Sequence, residues 1–260
     1  MPGQVRTRKE GAVGSIEFDH PQRRNAISRE MWLQIPEAAR ELDGDPAVRV
    51  VILRGAGETA FAAGADISEF EKSRSGASAG DYDRENAAAM GALASISKPV
   101  LAAIHGFCVG GGCAIALTAD LRYCAEDGVF AIPAARLGLG YGADGIERLV
   151  QEVGMPAAKE IFFTARRFSA EQALRIGLVN AVLAKAELDA HVRGVAETIA
   201  ANAPLTLKSA KLAMREIVKD SSRRDAAALR ASIEDCYESA DYAEGVRAFL
   251  EKRSPRFTGR

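Results

Sequence analysis

The feature that most constrains the fold is a short apolar run followed by a cluster of glycines. Residues 100–104 (VLAAI) are apolar throughout, as is typical of a strand buried on both faces. The chain continues as GFCVGGG at 106–112 and then as a second apolar run at 113–119. This order predicts a strand, a tight turn and a helix, because successive glycines favour a turn.

Strand-like and helix-like segments alternate in the same way through about residue 190. Further strands are predicted at 13–18, 48–54 and 121–124, with a strand or extended piece at 178–183. Helices are predicted after Ser28, a suitable N-cap, and at 81–97, 145–153, 156–163 and 170–176. The alternation predicts an α/β fold.

Beyond residue 186 the pattern is helical only. Helices are predicted at 188–201, 204–218, 226–237 and 243–252, the last with Asp241 and Glu244 at the spacing of a capping box. We therefore predict a core over residues 1–195 and a helical C-terminal region over 196–260.

Composition excludes several classes of protein. The chain is 48% hydrophobic and 27% charged, which is ordinary for a globular protein and unlike a disordered one. A net charge of −1 gives no field that would gather nucleic acid or anionic lipid. No apolar run approaches the ~20 residues of a membrane span, and the first residues lack the apolar stretch of a secretory signal. We expect a cytoplasmic protein without nucleic-acid or membrane partners.

A metal site is not expected. The four cysteines form no C-x-x-C pair, and the three histidines are far apart in the chain. Reduced, buried thiols explain the cysteines best.

Two small-residue turns carry the chemical signal. The glycines at 110–112 begin a predicted helix, whose first amides can hold an anionic oxygen, although tight packing against a neighbouring strand explains them equally well. The second turn, FAAGAD at 61–66, follows the strand at 48–54. One amide from each turn aimed at a single point would form an oxyanion hole, which suits a thioester that becomes an enolate.

At these residues the chain resembles the crotonase (enoyl-CoA hydratase/isomerase) superfamily along nearly its whole length. The matching segments are RNAIS at 24–28, VRVVILRGAGETAFAAGADISEF at 48–70, KPVLAAIHGFCVGGGCAIALTADLRYC at 98–124, FTARRFSAEQALRIGLVNAV at 163–182 and EGVRAFLEKRSPRF at 244–257. The resemblance implies a crotonase-like β-β-α spiral core, a C-terminal helical part that forms a homotrimer or homohexamer, and an acyl-CoA substrate that itself contains coenzyme A, with no other cofactor.

The resemblance also implies roles for particular residues. The amides of Ala65 and Gly111, beside Ala63 and Gly110, would form the oxyanion hole. The thioester arm of coenzyme A would lie along Asp66, Ile67 and Ser68, and its nucleotide near Arg23, Arg24 and Ala26.

Two departures from the family pattern argue against efficient hydration by the usual mechanism. Hydratases of this family carry one glutamate just after the GGGC segment and another after F-G-x-P, and this chain has Ala114 and Ala134 there. Alanine cannot transfer a proton, and general acid–base groups contribute about 10²–10⁴-fold each.

The segment LGLGYGADGIER at 137–148 holds candidates that could replace the glutamates. Tyr141 falls, by resemblance, where methylmalonyl-CoA decarboxylases have a tyrosine. A decarboxylase needs no base to form the enolate, so Tyr141 is a candidate proton donor; the alternative is a phenol that only shapes the acyl pocket.

Other polar residues have a functional and a structural interpretation. Asp144 and Glu147 are candidate catalytic groups; alternatively, Asp144 caps the helix near residue 145 and Glu147 is a solvated first-turn carboxylate. Asp66 contacts ligand or caps a short helix after it. His105 is expected to be buried and bonded to a backbone carbonyl.

The sequence thus predicts an enoyl-CoA hydratase/isomerase-family enzyme that holds an enolate in a backbone oxyanion hole. The alternatives are a methylmalonyl-CoA-type decarboxylase that uses Tyr141, and a catalytically silent acyl-CoA binding protein.

Overall fold

The computed structural model describes residues 2–66 and 78–260. The strands, in chain order, are β1 (Gln4–Glu10), β2 (Val13–Asp19), β3 (Val50–Gly55), β4 (Ala60–Ala62), β5 (Val100–Ile104), β6 (Phe107–Val109), β7 (Leu121–Ala125), β8 (Val129–Ala131), β9 (Phe168–Ser169) and β10 (Ala181–Leu183). The helices are α1 (Arg29–Gly44), α2 (Ser78–Ser95), α3 (Gly111–Ala116), α4 (Ala134–Leu137), α5 (Ala143–Thr164), α6 (Ala170–Arg175), α7 (Leu188–Ala200), α8 (Pro204–Ile217), α9 (Ala226–Glu238) and α10 (Ala240–Leu250).

The strands form two sheets that the chain visits alternately. The larger sheet has the order β1-β2-β3-β5-β7-β10, and the smaller has the order β4-β6-β8-β9. Pairing is parallel except for β1 with β2 and β8 with β9. Each pass through the core therefore places one strand in each sheet, which confirms the predicted α/β spiral.

A glycine makes the step between the sheets possible. Gly106 lies between β5 and β6 with φ of +53°, and a Cβ atom there would be 2.0 Å from the carbonyl oxygen of Thr59. Only glycine tolerates both the left-handed backbone and this approach.

Strand β3 is buried on both faces, as its β-branched sequence predicts. Val51 and Leu53 belong to the main core with Trp32 of α1, which is fully buried. Val50 and Ile52 face a second core that α7 closes with Leu188, Val192, Ala196 and Ala200. The larger sheet is thus a central layer between helices.

The predicted strands are confirmed as β2, β3, β5, β7 and β10 of the larger sheet. Strand β1 and the strands of the smaller sheet were not predicted. The smaller-sheet strands have two or three residues each, too few for a periodic pattern to show.

One of the predicted helix caps is confirmed. The Ser28 hydroxyl accepts a hydrogen bond from the backbone nitrogen of Met31 at the start of α1. The capping box at Asp241 and Glu244 is wrong, because α10 begins at Ala240 with Ser239 as its N-cap. The Asp241 carboxylate instead accepts from the backbone nitrogens of Thr258 and Gly259.

The C-terminal helices leave large apolar side chains exposed. Five of those with more than half of their surface exposed are Met214, Ile217, Tyr237, Phe249 and Leu250. No helix within the described ranges is both long enough and apolar enough to cross a membrane.

Candidate active site

The turns after β4 and β6 lie side by side because the two strands are parallel neighbours, with Ala62 paired to Cys108. A Cβ atom on Gly111 would be 3.4 Å from the backbone nitrogen of Ala65. A Cβ atom on Gly64 would be 3.9 Å from the backbone nitrogen of Gly111. The structure therefore brings together the two amides that the sequence analysis singled out.

Neither of these two N–H groups donates a hydrogen bond to another described residue. The bonds on both sides of Ala65 are made by its neighbours, since Ile27 N donates to Gly64 O (2.8 Å) and Asp66 N donates to Ile27 O (2.9 Å). Gly111 is the first residue of α3, where an N–H has no acceptor within the helix. Across the described ranges neither N–H has a hydrogen-bond acceptor, so both are available to a ligand.

Buried Asn25 and its neighbour Arg24 hold the first turn in place. The Asn25 amide nitrogen donates to the carbonyl oxygens of Ala56 (3.0 Å) and Ala60 (2.7 Å). The carbonyl oxygen of Arg24 accepts from the backbone nitrogen of Ala63 (3.0 Å). These bonds tie the RNAIS segment to both ends of the loop before the site.

In the second turn, glycine is required at different positions for different structural reasons. Gly110 has φ of +52° and donates its N–H to the carbonyl oxygen of Ala131 (2.7 Å). A Cβ atom on Gly112 would be 2.2 Å from the carbonyl oxygen of Ala62. Packing against a neighbouring strand therefore explains Gly112, whereas Gly111 faces the other turn.

Both turns open into one cavity of about 490 Å³, a size typical of small-molecule sites. Its walls come from α1, α2, the glycine turn and the segment that leads into α5. Apolar residues on its walls include Trp32, Met90, Leu117, Ile132 and Leu139. Such a wall favours an apolar ligand close to the two free amides.

Ala114 and Ala134 both line this cavity. Ala134 is buried, and Ala114 is half-buried on the first turn of α3. The structure therefore places the two departures from the hydratase pattern beside the paired amides, where neither can move a proton.

Of the three catalytic candidates in the segment at 137–148, two line the cavity and one does not. Tyr141 and Asp144 line the cavity, and the Tyr141 ring packs edge-on against Phe162 with centroids 5.0 Å apart. Glu147 is exposed, does not line the cavity and accepts a hydrogen bond from Gln151. The prediction that Asp144 caps a helix is wrong, because α5 begins at Ala143 with Gly142 as its N-cap.

The residues predicted to lie near coenzyme A that the structure describes, namely Arg23, Arg24, Ala26 and Asp66, do not line this cavity. Ala26 and Asp66 are buried, and Asp66 lines a separate pocket with Arg23. Ile67 and Ser68 lie outside the described residues, as does the short helix that Asp66 was predicted to cap.

Outside the set of residues that line the cavity, two guanidinium groups lie on one aromatic ring. The Cζ atoms of Arg24 and Arg167 are 4.6 and 6.0 Å from the ring centroid of Phe107. Neither arginine has a carboxylate partner among the described residues. The pair forms an exposed cationic patch that suits phosphate.

His105 differs from the prediction. Its Nε2 atom lies 3.0 Å from the Asp189 carboxylate rather than from a backbone carbonyl, and this hydrogen bond lowers the pKa of Asp189. Its buried Nδ1 atom has no partner among the described residues. His105 is not among the residues that line the cavity.

The thiols beside the glycine turn are structural. The Cys113 thiol donates to the carbonyl oxygen of Cys108 (2.7 Å), and burial raises the pKa of the Cys108 thiol. Burial also raises the pKa of Cys124 to about 12. Protonated, buried thiols do not act as nucleophiles.

Sequence reasoning missed three residues of the cavity wall: Trp32, Asn86 and Arg148. Trp32 lies in the helix predicted after Ser28 but was not singled out, although its Cζ2 atom would be 3.4 Å from a Cβ atom on Gly111. The others are polar residues of helices or turns with no motif of their own. Their positions depend on which helix faces which turn.

The chain matches a known protein family over most of its length. A model of the family described as enoyl-CoA hydratase/isomerase matches residues 8–260, and the chain belongs to this family. The predicted resemblance to the crotonase superfamily is confirmed.

Individual relatives are similar over nearly their full length. The short-chain-enoyl-CoA hydratase of Clostridium acetobutylicum is 35% identical, with 94% of each chain covered. The carnitinyl-CoA dehydratase of Proteus mirabilis is 35% identical, with 96% of each chain covered. The crystal structure of an enoyl-CoA hydratase/carnithine racemase from Magnetospirillum magneticum matches with a TM-score of 0.92 at 35% identity, covering 98% of this chain and 96% of that one.

Proposed function

We propose that this protein binds an acyl-CoA thioester and stabilises its enolate with the N–H groups of Ala65 and Gly111. The observation that carries the proposal is the pair of adjacent amides that open into one apolar cavity and have no acceptor in residues 2–66 and 78–260. Two donors directed at one oxygen stabilise the negative charge that a thioester carbonyl gains when its α-carbon loses a proton or a carboxylate. Each such donor is worth about 3–4 kcal/mol of barrier.

Coenzyme A would extend from the cavity across the rim. Family membership supports this ligand, and the relatives' names specify CoA esters. Arg24 and Arg167 on Phe107 present two cations for its phosphates, and no carboxylate of the described residues pairs with either.

The reaction that fits the cavity best is a proton shift in the acyl chain rather than addition of water. Hydration in this family depends on two carboxylates, and Ala114 and Ala134 occupy their places. Asp144 is a carboxylate that lines the cavity, and in this proposal it moves the proton between carbons. The proposed activity is therefore isomerisation of a short or branched enoyl-CoA.

Decarboxylation is the second candidate, and Tyr141 favours it. The bond between the α-carbon and the carboxylate breaks, its electron pair forms the enolate, and carbon dioxide leaves. The Tyr141 hydroxyl then donates a proton to the α-carbon and regains one from water. The enolate needs no base in this route, which suits a cavity without the two glutamates.

The predicted oligomer remains a proposal. Exposed apolar residues on α8, α9 and α10 support contacts between subunits through the C-terminal helices. A trimer or hexamer measured by light scattering in solution would support it, and a monomer would contradict it.

Turnover and binding together test the proposed function. Purified protein is incubated with 2-enoyl-CoA, 3-enoyl-CoA and methylmalonyl-CoA, and products are separated by chromatography. We expect conversion of 3-enoyl-CoA or methylmalonyl-CoA and little hydration. If coenzyme A esters bind in calorimetry but none is converted, the protein is a silent acyl-CoA binding protein. If none binds, the enolate proposal is wrong.

A further inference from the structure

Arg148 of α5 is a half-buried cation on the cavity wall, and the part of the chain that the structure describes gives it no partner. Among the described residues no carboxylate lies within 4.0 Å of its guanidinium, and none forms a hydrogen bond with it. Three other arginines packed between elements are paired with carboxylates: Arg29 with Glu85, Arg54 with Asp189, and Arg122 with Glu152. A partly buried charge is stabilised by a counter-charge, and residues 2–66 and 78–260 supply none to Arg148.

The charged groups around Arg148 do not neutralise its guanidinium. Burial lowers the pKa of the Arg215 guanidinium, and the positive charge of nearby Arg148 lowers it further. Asp83 and Asp144 also line the cavity, but both are exposed, where water screens their charge. Asp144 is one helical turn from Arg148 and still forms no ion pair with it.

A second uncommitted donor lines the same cavity. Asn86 of α2 is half-buried, and its side-chain amide has no hydrogen-bond partner among the described residues. A guanidinium and an amide together offer several N–H donors, and a carboxylate has two oxygens to accept them. The apolar side chains of the wall offer such a group no hydrogen bond.

We propose that Arg148 determines substrate specificity by binding a carboxylate at the far end of the acyl group. The side-chain amide of Asn86 donates a further hydrogen bond to the same carboxylate. The substrate class is then the CoA thioester of a dicarboxylic acid, which rests on the proposed function. The thioester oxygen lies at Ala65 and Gly111, and the acyl chain crosses the apolar part of the cavity.

The bound carboxylate is one that the product retains. Pairing a leaving carboxylate with arginine would stabilise the substrate more than the transition state and slow its loss. Arg148 therefore selects and orients the acyl chain, whichever bond reacts.

A matched pair of ligands tests the proposal. Glutaryl-CoA and pentanoyl-CoA have equal chain lengths and differ by a terminal carboxylate in place of a methyl group. Calorimetry on the wild type should give a dissociation constant about tenfold or more lower for glutaryl-CoA, as expected for a charge-assisted hydrogen bond. The preference should decrease as salt increases.

Variants assign the preference to the residue. Arg148→Gln should abolish it, and Arg148→Lys, which keeps the charge, should retain part of it. Arg136→Gln is the control, because Arg136 is exposed nearby and does not line the cavity, and it should keep the full preference.

Three outcomes overturn the inference. The inference is wrong if the wild type binds glutaryl-CoA and pentanoyl-CoA with equal affinity. It is also wrong if both Arg148 variants keep the full preference for glutaryl-CoA. If neither ligand binds the wild type, the proposed function fails together with the inference, whereas equal binding of both refutes the inference alone.

Discussion

The space in front of the Ala65 amide is kept open by the absence of a side chain on Gly111. A Cβ atom on Gly111 would lie 3.4 Å from the Ala65 nitrogen and 3.4 Å from the nearest carbon of Trp32, both ordinary contacts. The oxygen of a bound thioester would lie 2.7–3.1 Å from such a donor. A methyl group therefore fits the fold at this point but occupies the place of the ligand oxygen.

Gly111→Ala should strongly reduce turnover without unfolding the protein. Blocking one donor is expected to lower kcat by about 10²–10³-fold, and alanine in the helix should leave stability unchanged or raise it by up to about 1 kcal/mol. Gly194→Ala is the control, since Gly194 lies exposed in α7 with open space around it. Kinetics and thermal unfolding of both variants check this. Full activity of Gly111→Ala would refute the role of the hole.

Ala114→Glu with Ala134→Glu should create hydration of crotonyl-CoA. Both positions line the cavity, and the two carboxylates together can activate water and move its proton, so we expect a gain of about 10²-fold or more over the wild type. Loss of crotonyl-CoA absorbance gives the rate. The control is Ala135→Glu, which places a glutamate at the exposed neighbour. No gain in a folded double variant would contradict our explanation of the two alanines.

Tyr141→Phe should reduce decarboxylation of methylmalonyl-CoA by about 10²-fold or more, because it removes a general acid. Phenylalanine keeps the edge-on contact with Phe162, so ligand affinity should change little. Release of carbon dioxide measures the rate, and Tyr237→Phe, on an exposed C-terminal side chain, is the matched control. An unchanged rate would reduce Tyr141 to a residue that shapes the pocket.

Lys211 should make stability depend on pH. Its Nζ atom donates to the Asp120 carboxylate (2.6 Å) and to the carbonyl oxygen of Lys98 (2.7 Å), and burial lowers its pKa to about 8. The folded protein therefore binds fewer protons at this site than the unfolded chain between about pH 8 and 10.5. Its contribution is unfavourable below that window, and the disadvantage disappears as pH rises through it.

The test compares the wild type with Lys211→Met, because other groups that titrate in this window affect both proteins alike. The free energy of unfolding of the wild type, relative to the variant, should increase with pH between about 8 and 10.5. Denaturant unfolding at several pH values measures it. A difference that stays constant with pH would show that Lys211 does not titrate there.

The sequence by itself determined the alternation of helices with the strands of the larger sheet after β1, and the two turns that carry the chemistry. The strands at 48–54 and 100–104 could be recognised because each contains an unbroken apolar run, VVIL at 50–53 and VLAAI at 100–104. The two turns could be recognised because glycine and alanine cluster there. The alanines at 114 and 134 could be recognised because the motifs around them have fixed spacing. These are local properties, which a linear chain records directly.

Only the tertiary structure decided which residues meet. The smaller sheet brings Ala65 beside Gly111 through the pairing of β4 with β6, strands too short to be seen in a periodic pattern. The structure also separated Tyr141 and Asp144, on the cavity wall, from Glu147, outside it. Arg148 and Asn86 come from helices far apart in the chain, and their shared cavity follows from how those helices pack, which no local pattern encodes.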